Sequence, residues 1–124
     1  KTSFMVPLLM DWINSNDTIR KRCGYGLLYE VSKFTKKNTP DTAFFLDRID
    51  QILHSYKGEK NIIKAAMGGA LMGIGKRNID LNSAALKVAK KMGPIEIDSG
   101  VTKCEPFDVA KHLTSDYIKS KLNI

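Results

Sequence analysis

A chain of 124 residues is long enough for one domain with its own core, and a hydrophobic share of 43% argues against disorder. Its longest apolar runs fall short of the 18 residues or so that a membrane span needs, and no signal-peptide pattern opens it. Twenty Lys and Arg against 13 Asp and Glu give a net charge of +7, a surplus that favours an anionic partner.

Hydrophobic spacing is helical along almost the whole chain. The first predicted helix covers about Ser3 to Ile13, with Pro7 favouring a start near Val6. The second opens at Ser15 or Asp17, both good N-caps. It runs to about Phe34 with an apolar stripe of Ile19, Cys23, Leu27, Leu28 and Val31, which makes Cys23 a small buried hydrophobe. The third opens at Thr39-Pro40-Asp41, carries Phe44, Phe45, Ile49, Ile52 and Leu53, and stops at Gly58. The fourth covers about Asn61 to Ile74. Its Gly68, Gly69 and Gly73 each cost about 1 kcal/mol relative to Ala, so they call for close helix–helix approach or for a backbone pressed near a nucleic-acid strand.

The fifth predicted helix begins after Asn78 or Asp80, carries Leu81, Ala85, Leu86, Val88 and Ala89, and stops at Gly93-Pro94. Ile95 to Gly100 alternates like a strand but has no partner strand, and reads as an extended loop. The sixth begins near Pro106 and carries Val109, Leu113, Tyr117, Ile118 and Leu122. Six helices in three pairs, starting near 3, 41 and 81, repeat about every 40 residues. That spacing fits an all-α, HEAT-like superhelix in which stacked pairs share one core; a six-helix bundle is the alternative. One repeat domain spanning 1–124 is expected.

Charge is uneven. Between Lys57 and Lys91, eight bases (Lys57, Lys60, Lys64, Lys76, Arg77, Lys87, Lys90 and Lys91) face two acids, Glu59 and Asp80. Arg20, Lys21 and Arg22 crowd the start of the second helix, where cations oppose the macrodipole. A phosphate ligand would favour them there, and so would plain solvation beside Asp17. The turn Gly75-Lys76-Arg77-Asn78 offers backbone, guanidinium and amide donors of the kind that contact phosphates. It also reads as a helix stop with cations on its negative end. Arg20, Lys21, Arg22, Lys64, Lys76 and Arg77 are the candidate DNA-binding residues.

Other constellations carry less. Cys104 and His112 are eight apart with no second ligand pair, so no metal or cofactor is expected, and His54 and His112 read as surface histidines. Asp47 and Asp50 share a helix face as solvated carboxylates. Tyr25 and Tyr29, four apart, suit either core packing or base stacking. Two cysteines make no disulfide framework, and reduced thiols in the cytoplasm are the expectation.

Four segments resemble the DNA alkylation repair (AlkD-like) family. These are Trp12-Ile13-Asn14-Ser15-Asn16-Asp17 with Arg22-Cys23-Gly24; Asn61 through Leu71; Ile74-Gly75-Lys76-Arg77-Asn78 through Leu81 with Ala84-Ala85-Leu86; and Ile95 through Gly100 with Cys104 to Asp108. They occur in the family's order and span most of the chain. The resemblance implies a curved helical repeat with a concave, basic groove for duplex DNA, gripped by its phosphate backbone, and it matches the chain to the family's C-terminal portion. Active members are glycosylases that release alkylated purines without fully flipping the base.

Their catalytic set is an Asp, two Trp and an Arg. The Arg maps to Arg22 and the second Trp to Gly69. The first Trp and the Asp fall ahead of Lys1, and Asp11 and Trp12 are not their counterparts. The resemblance thus implies DNA binding without catalytic residues within this chain. A non-catalytic scaffold for protein partners is the alternative.

Overall fold

The computed structural model describes residues 2–34, 39–95 and 108–123. All elements among them are helical: α1 (Thr2–Ile13), α2 (Thr18–Ser32), α3 (Thr42–Ser55) with a 3-10 turn at Tyr56–Gly58, α4 (Asn61–Gly75), α5 (Ile79–Met92), α6 (Val109–Leu113) and α7 (Asp116–Leu122). Most starts have a side-chain cap, α4 with Lys60 ahead of it being one that does not. Asp17 accepts from the backbone N–H of Ile19 at 2.9 Å, Asp41 from Phe44 at 3.0 Å, and Asn78 from Leu81 at 2.9 Å, satisfying N–H groups that the helix leaves unpaired. Gly93 ends α5 with φ of +69°.

The chain differs from its predicted elements at three places. α1 runs straight through Pro7 from Thr2; Pro7 is exposed and deprives only the first-turn carbonyl of Ser3 of a partner. Pro40 lies ahead of the Asp41 cap rather than in the first turn of α3. The predicted sixth helix is two, because Thr114 Oγ1 bonds back to the Ala110 carbonyl at 2.9 Å and Ser115 caps a fresh helix. Its Tyr117 is exposed, not core. Of the extended loop expected at Ile95–Gly100, Ile95 is buried; residues 96–100, Cys104 and Pro106 lie outside the described residues.

The helices stack as a HEAT-like repeat. First helices begin at Thr2, Thr42 and Ile79, close to the expected period. α1, α3 and α5 form one layer, α2, α4 and α6 the other. Within the first layer, Gln51 Nε2 of α3 donates to Asn14 Oδ1 just past α1 at 3.0 Å, and Arg48 Nη1 donates to Met10 Sδ. In the second layer α2 and α4 run parallel: Lys21, early in α2, pairs with Glu59 just ahead of α4, while Tyr29 and Ser32, late in α2, meet Gly73 late in α4. One core joins both layers, with Leu9, Leu28, Phe45, Ile52, Met67, Leu71, Ile74 and Leu81 fully buried. α4 lies at its centre, which is why it is apolar nearly all round with Lys64 as its one charge.

Close approach fixes two crossings. A Cβ on Gly24 would lie 2.7 Å from the backbone nitrogen of Ile13, and one on Gly73 would overlap Ser32 Oγ and lie 2.8 Å from Tyr29 Cδ1. Gly73 thus has the packing role expected of the α4 glycines. Gly69 does not, since a Cβ there would meet nothing within 4 Å. The approach at Gly24 also corrects the α2 stripe. The buried face holds Gly24, Tyr25, Leu28, Val31 and Ser32, which keeps Leu28 and Val31 of the expected stripe but is rotated so that Ile19 and Cys23 fall outside it. Cys23 is therefore exposed, and so is Ile19. Burial pushes the Tyr25 hydroxyl up to about 12, placing Tyr25 in the core rather than in any stacking role.

Asn82, a buried polar residue of α5, donates from Nδ2 to the carbonyls of Gly75 at 3.1 Å and Leu113 at 3.2 Å. It supplies donors to the last turns of α4 and α6, whose carbonyls have no partner within their own helices.

Gly24→Ala should lower stability by about 1–3 kcal/mol, because the clash is with backbone that cannot rotate away. Gly26→Ala, two residues on, meets nothing within 4 Å and should raise stability by up to about 1 kcal/mol through helix propensity. Urea unfolding of the pair measures both; equal effects would contradict the assigned α1–α2 crossing.

Candidate nucleic-acid interface

The two layers differ in charge. Around α2 and α4, from one residue before to one residue after their caps, eight bases (Arg20, Lys21, Arg22, Lys33, Lys60, Lys64, Lys76 and Arg77) face three acids, Asp17, Glu30 and Glu59. Around α1 and α3 the balance reverses: Arg48 stands against Asp11, Asp41, Asp47 and Asp50. α5 joins the first layer with Asp80, Lys87, Lys90 and Lys91, the last two in its final turn, where they complement the negative helix end. The basic run between Lys57 and Lys91 is therefore divided, with Lys57 in the 3-10 turn after α3, four bases around α4 and three on α5.

The six sequence candidates all belong to the α2–α4 layer or to the turn that follows it, but in different states. Arg20 and Arg22 are exposed in the first half of α2. Lys21, between them, is turned the other way and half-buried, with Nζ 2.6 Å from Glu59 Oε2. Three consecutive helical residues cannot share one face. Lys64 and Lys76 are half-buried on α4 and at its C-cap.

Arg77 holds the fold together. Its Nη1 donates to the Ser32 carbonyl at 2.6 Å and the Phe34 carbonyl at 2.9 Å, and its guanidinium lies 4.5 Å from the Phe45 ring centroid. A cation on the negative end of α2 is favourable, and carbonyls at a helix end need donors. Desolvation by burial lowers the Arg77 pKa from its ordinary value, leaving the group protonated.

Lys76 and Arg77 also border a cleft of about 370 Å³ where the C-terminal ends of α2 and α4 meet α7. Its cations are Lys33, Lys76, Arg77 and Lys121, its aromatic walls are Tyr29 and Tyr117, and Ser32 and Gly73 complete the lining. Among the described residues no carboxylate lines it. Lys33 Nζ lies 4.4 Å from the Tyr29 ring centroid and 3.3 Å from Glu30 Oε1 in a largely exposed pair, an ion pair of little worth. Lys33, Tyr117 and Lys121 were not among the sequence candidates. Nothing in local spacing links residues 33 and 121; the link appears only when α7 is seen beside α2 and α4.

The remaining candidates are placed more simply. His54, Asp47 and Asp50 are exposed on α3 and His112 on α6, and His54 Nδ1 lies 2.8 Å from the Asp50 carbonyl. Among the described residues no three His, Cys, Asp or Glu side chains gather as a metal site would require, and no helix is long and apolar enough to cross a membrane.

Comparison with known proteins bears on the fold. No family model matches the chain. It is 26% identical over 102 residues to the uncharacterized protein Lin0241 of Listeria innocua, an alignment covering 82% of this chain and 42% of that protein. Among solved structures it is similar to a member of a new family of proteins related to the HEAT-like repeat DNA glycosylases with affinity for branched DNA structures. The TM-score is 0.77 at 17% identity, covering 95% of this chain and 50% of that one. The likeness establishes the HEAT-like fold, and this chain spans half or less of the length of either relative.

Arg77→Ala should destabilise the protein by about 2–4 kcal/mol, since two charged hydrogen bonds to carbonyls and a ring contact are lost together. Arg77→Lys should recover less than half, because an ammonium cannot bridge both carbonyls and stack. Thermal and denaturant midpoints measure this; an unchanged midpoint in Arg77→Ala would show that the α2–α4 ends do not depend on it.

Proposed function

We propose that this chain is a DNA-binding module of a repair-related helical-repeat protein, gripping the phosphate backbone with its α2–α4 layer. The observation that carries the reading is the segregation of charge: eight bases against three acids around α2 and α4, while acids outnumber bases around α1 and α3. A polyanion is bound mainly by such a surface, through release of the counterions it displaces. Arg20 and Arg22, both exposed and projecting on either side of Lys21 from α2, are the foremost phosphate contacts. Lys21 and Arg77 contribute field, since each also serves an internal partner.

The resemblance to alkylation-repair proteins supports the same class of partner. The affinity for branched DNA described for the solved relative makes junctions and forks natural ligands alongside plain duplex. Base excision by these residues is not part of the proposal. Releasing a cationic base requires a carboxylate against the developing positive charge on the sugar and aromatic faces around the base. Arg22 supplies neither, and position 69 is a glycine facing open space.

Fluorescence anisotropy against duplex and four-way-junction DNA over a salt series tests the proposal. Affinity should fall steeply with salt, and the double variant Arg20→Ala/Arg22→Ala should reduce the log–log slope by about 2 with its thermal midpoint unchanged. Release of 7-methylguanine or 3-methyladenine from alkylated DNA should stay at background. No binding at low salt would overturn the reading in favour of a scaffold for protein partners.

A further inference from the structure

We propose that the cleft between the ends of α2, α4 and α7 receives one unpaired nucleotide of a DNA strand, the base stacked on Tyr117 and the phosphate held by Lys33, Lys76 and Lys121. The inference rests on the DNA-binding reading above and adds a site to it.

Three features converge. The volume, about 370 Å³, lies in the range of small-ligand pockets and suits a single nucleotide rather than a helix. Its cations come from three separate elements, with no carboxylate among the described lining residues. Complementing the negative ends of their own helices accounts for Lys33, Lys76 and Lys121 one at a time, but not for their meeting around one cleft. Tyr117 is the third feature. It is 67% exposed although it opens a face whose next residue, Ile118, is buried and anchors α7. Lying four residues apart, Tyr117 and Lys121 project from the same side of that helix, so ring and ammonium reach the cleft together.

The aromatic walls are not equivalent. The Tyr29 ring already has Lys33 against it, and Arg77 Nη1 is committed to backbone carbonyls. Tyr117 is the ring presented to solvent. A free π-face next to a cationic pocket matches a base and its phosphate, the pairing by which single strands are held without sequence preference. Duplex DNA offers the phosphate but keeps its base faces stacked inside.

The test uses the whole chain and two probes, a blunt duplex and the same duplex with a short single-stranded extension. The extended probe should bind more tightly. Tyr117→Ala should cut that preference about tenfold, within the range that alanine substitution reveals for a base–aromatic stack, while Tyr117→Phe preserves it. Lys121→Ala should weaken the extended probe more than the blunt one. Thermal midpoints should not move, because both side chains are exposed.

Thymidine monophosphate should compete the extended probe down to the blunt-duplex level; competition by inorganic phosphate that is equally strong would overturn the stacking assignment. Equal affinity for both probes, or a preference indifferent to Tyr117→Ala, would overturn the inference and leave the duplex-binding reading standing. No binding of either probe at low salt would remove both.

Discussion

The parallel contact between α2 and α4 organises the rest of the molecule. At one end Lys21 meets Glu59. At the other, Gly73 allows the α2 backbone and its Tyr29 and Ser32 side chains to come within touching distance, and Arg77 draws the exit of α2 onto the α4–α5 turn through two carbonyls. Helices that run parallel must be joined by an intervening antiparallel one, so α3 is forced into the other layer together with α1 and α5. The two-layer stack follows from that requirement, and Asn82 ties in α6 by the same device, a side-chain donor to helix-end carbonyls.

This arrangement also produces the charge pattern. Because α2 and α4 share a layer, residues forty or more apart in sequence become neighbours on one surface, and their bases sum into a field that neither helix has alone. Their C-terminal ends lie side by side, concentrating negative helix-end potential where Lys33, Lys76 and Arg77 are found. Part of the cleft's cationic character is thus structural in origin. What exceeds that need, the exposed arginines early in α2 and the exposed Tyr117 ring of α7, is what points outward to a ligand.

Much of the architecture was legible from the sequence. Asp17, Asp41 and Asn78 mark helix starts through side-chain chemistry that acts over three residues, and the near-forty-residue spacing gives the repeat. Features set by tertiary contact were not. Cys23 and Ile19 fit an apolar stripe, but the face of α2 that is buried is decided by where Gly24 lets α1 approach, which no periodicity within α2 encodes. The break at Thr114 and Ser115 lies inside an unbroken apolar pattern because the two short helices bury Leu113 and Ile118 at compatible spacing. The sequence leaves Arg77 open between a phosphate donor and a helix-end cation, because a turn arginine and a carbonyl clamp look identical until the carbonyls of Ser32 and Phe34 are in place. The cleft escaped for the same reason: its walls come from three helices with no sequence relation.

The central claim is that the α2–α4 layer faces DNA while the α1–α3 side does not. Amide hydrogen exchange of the protein with and without a DNA junction tests it most directly, since it reports on every backbone position in one measurement. The account predicts slowed exchange along α2, around Lys76 and Arg77 and in α7, with α1 and α3 unchanged. Protection centred on α1 and α3 instead, with α2 and α4 unaffected, would contradict it.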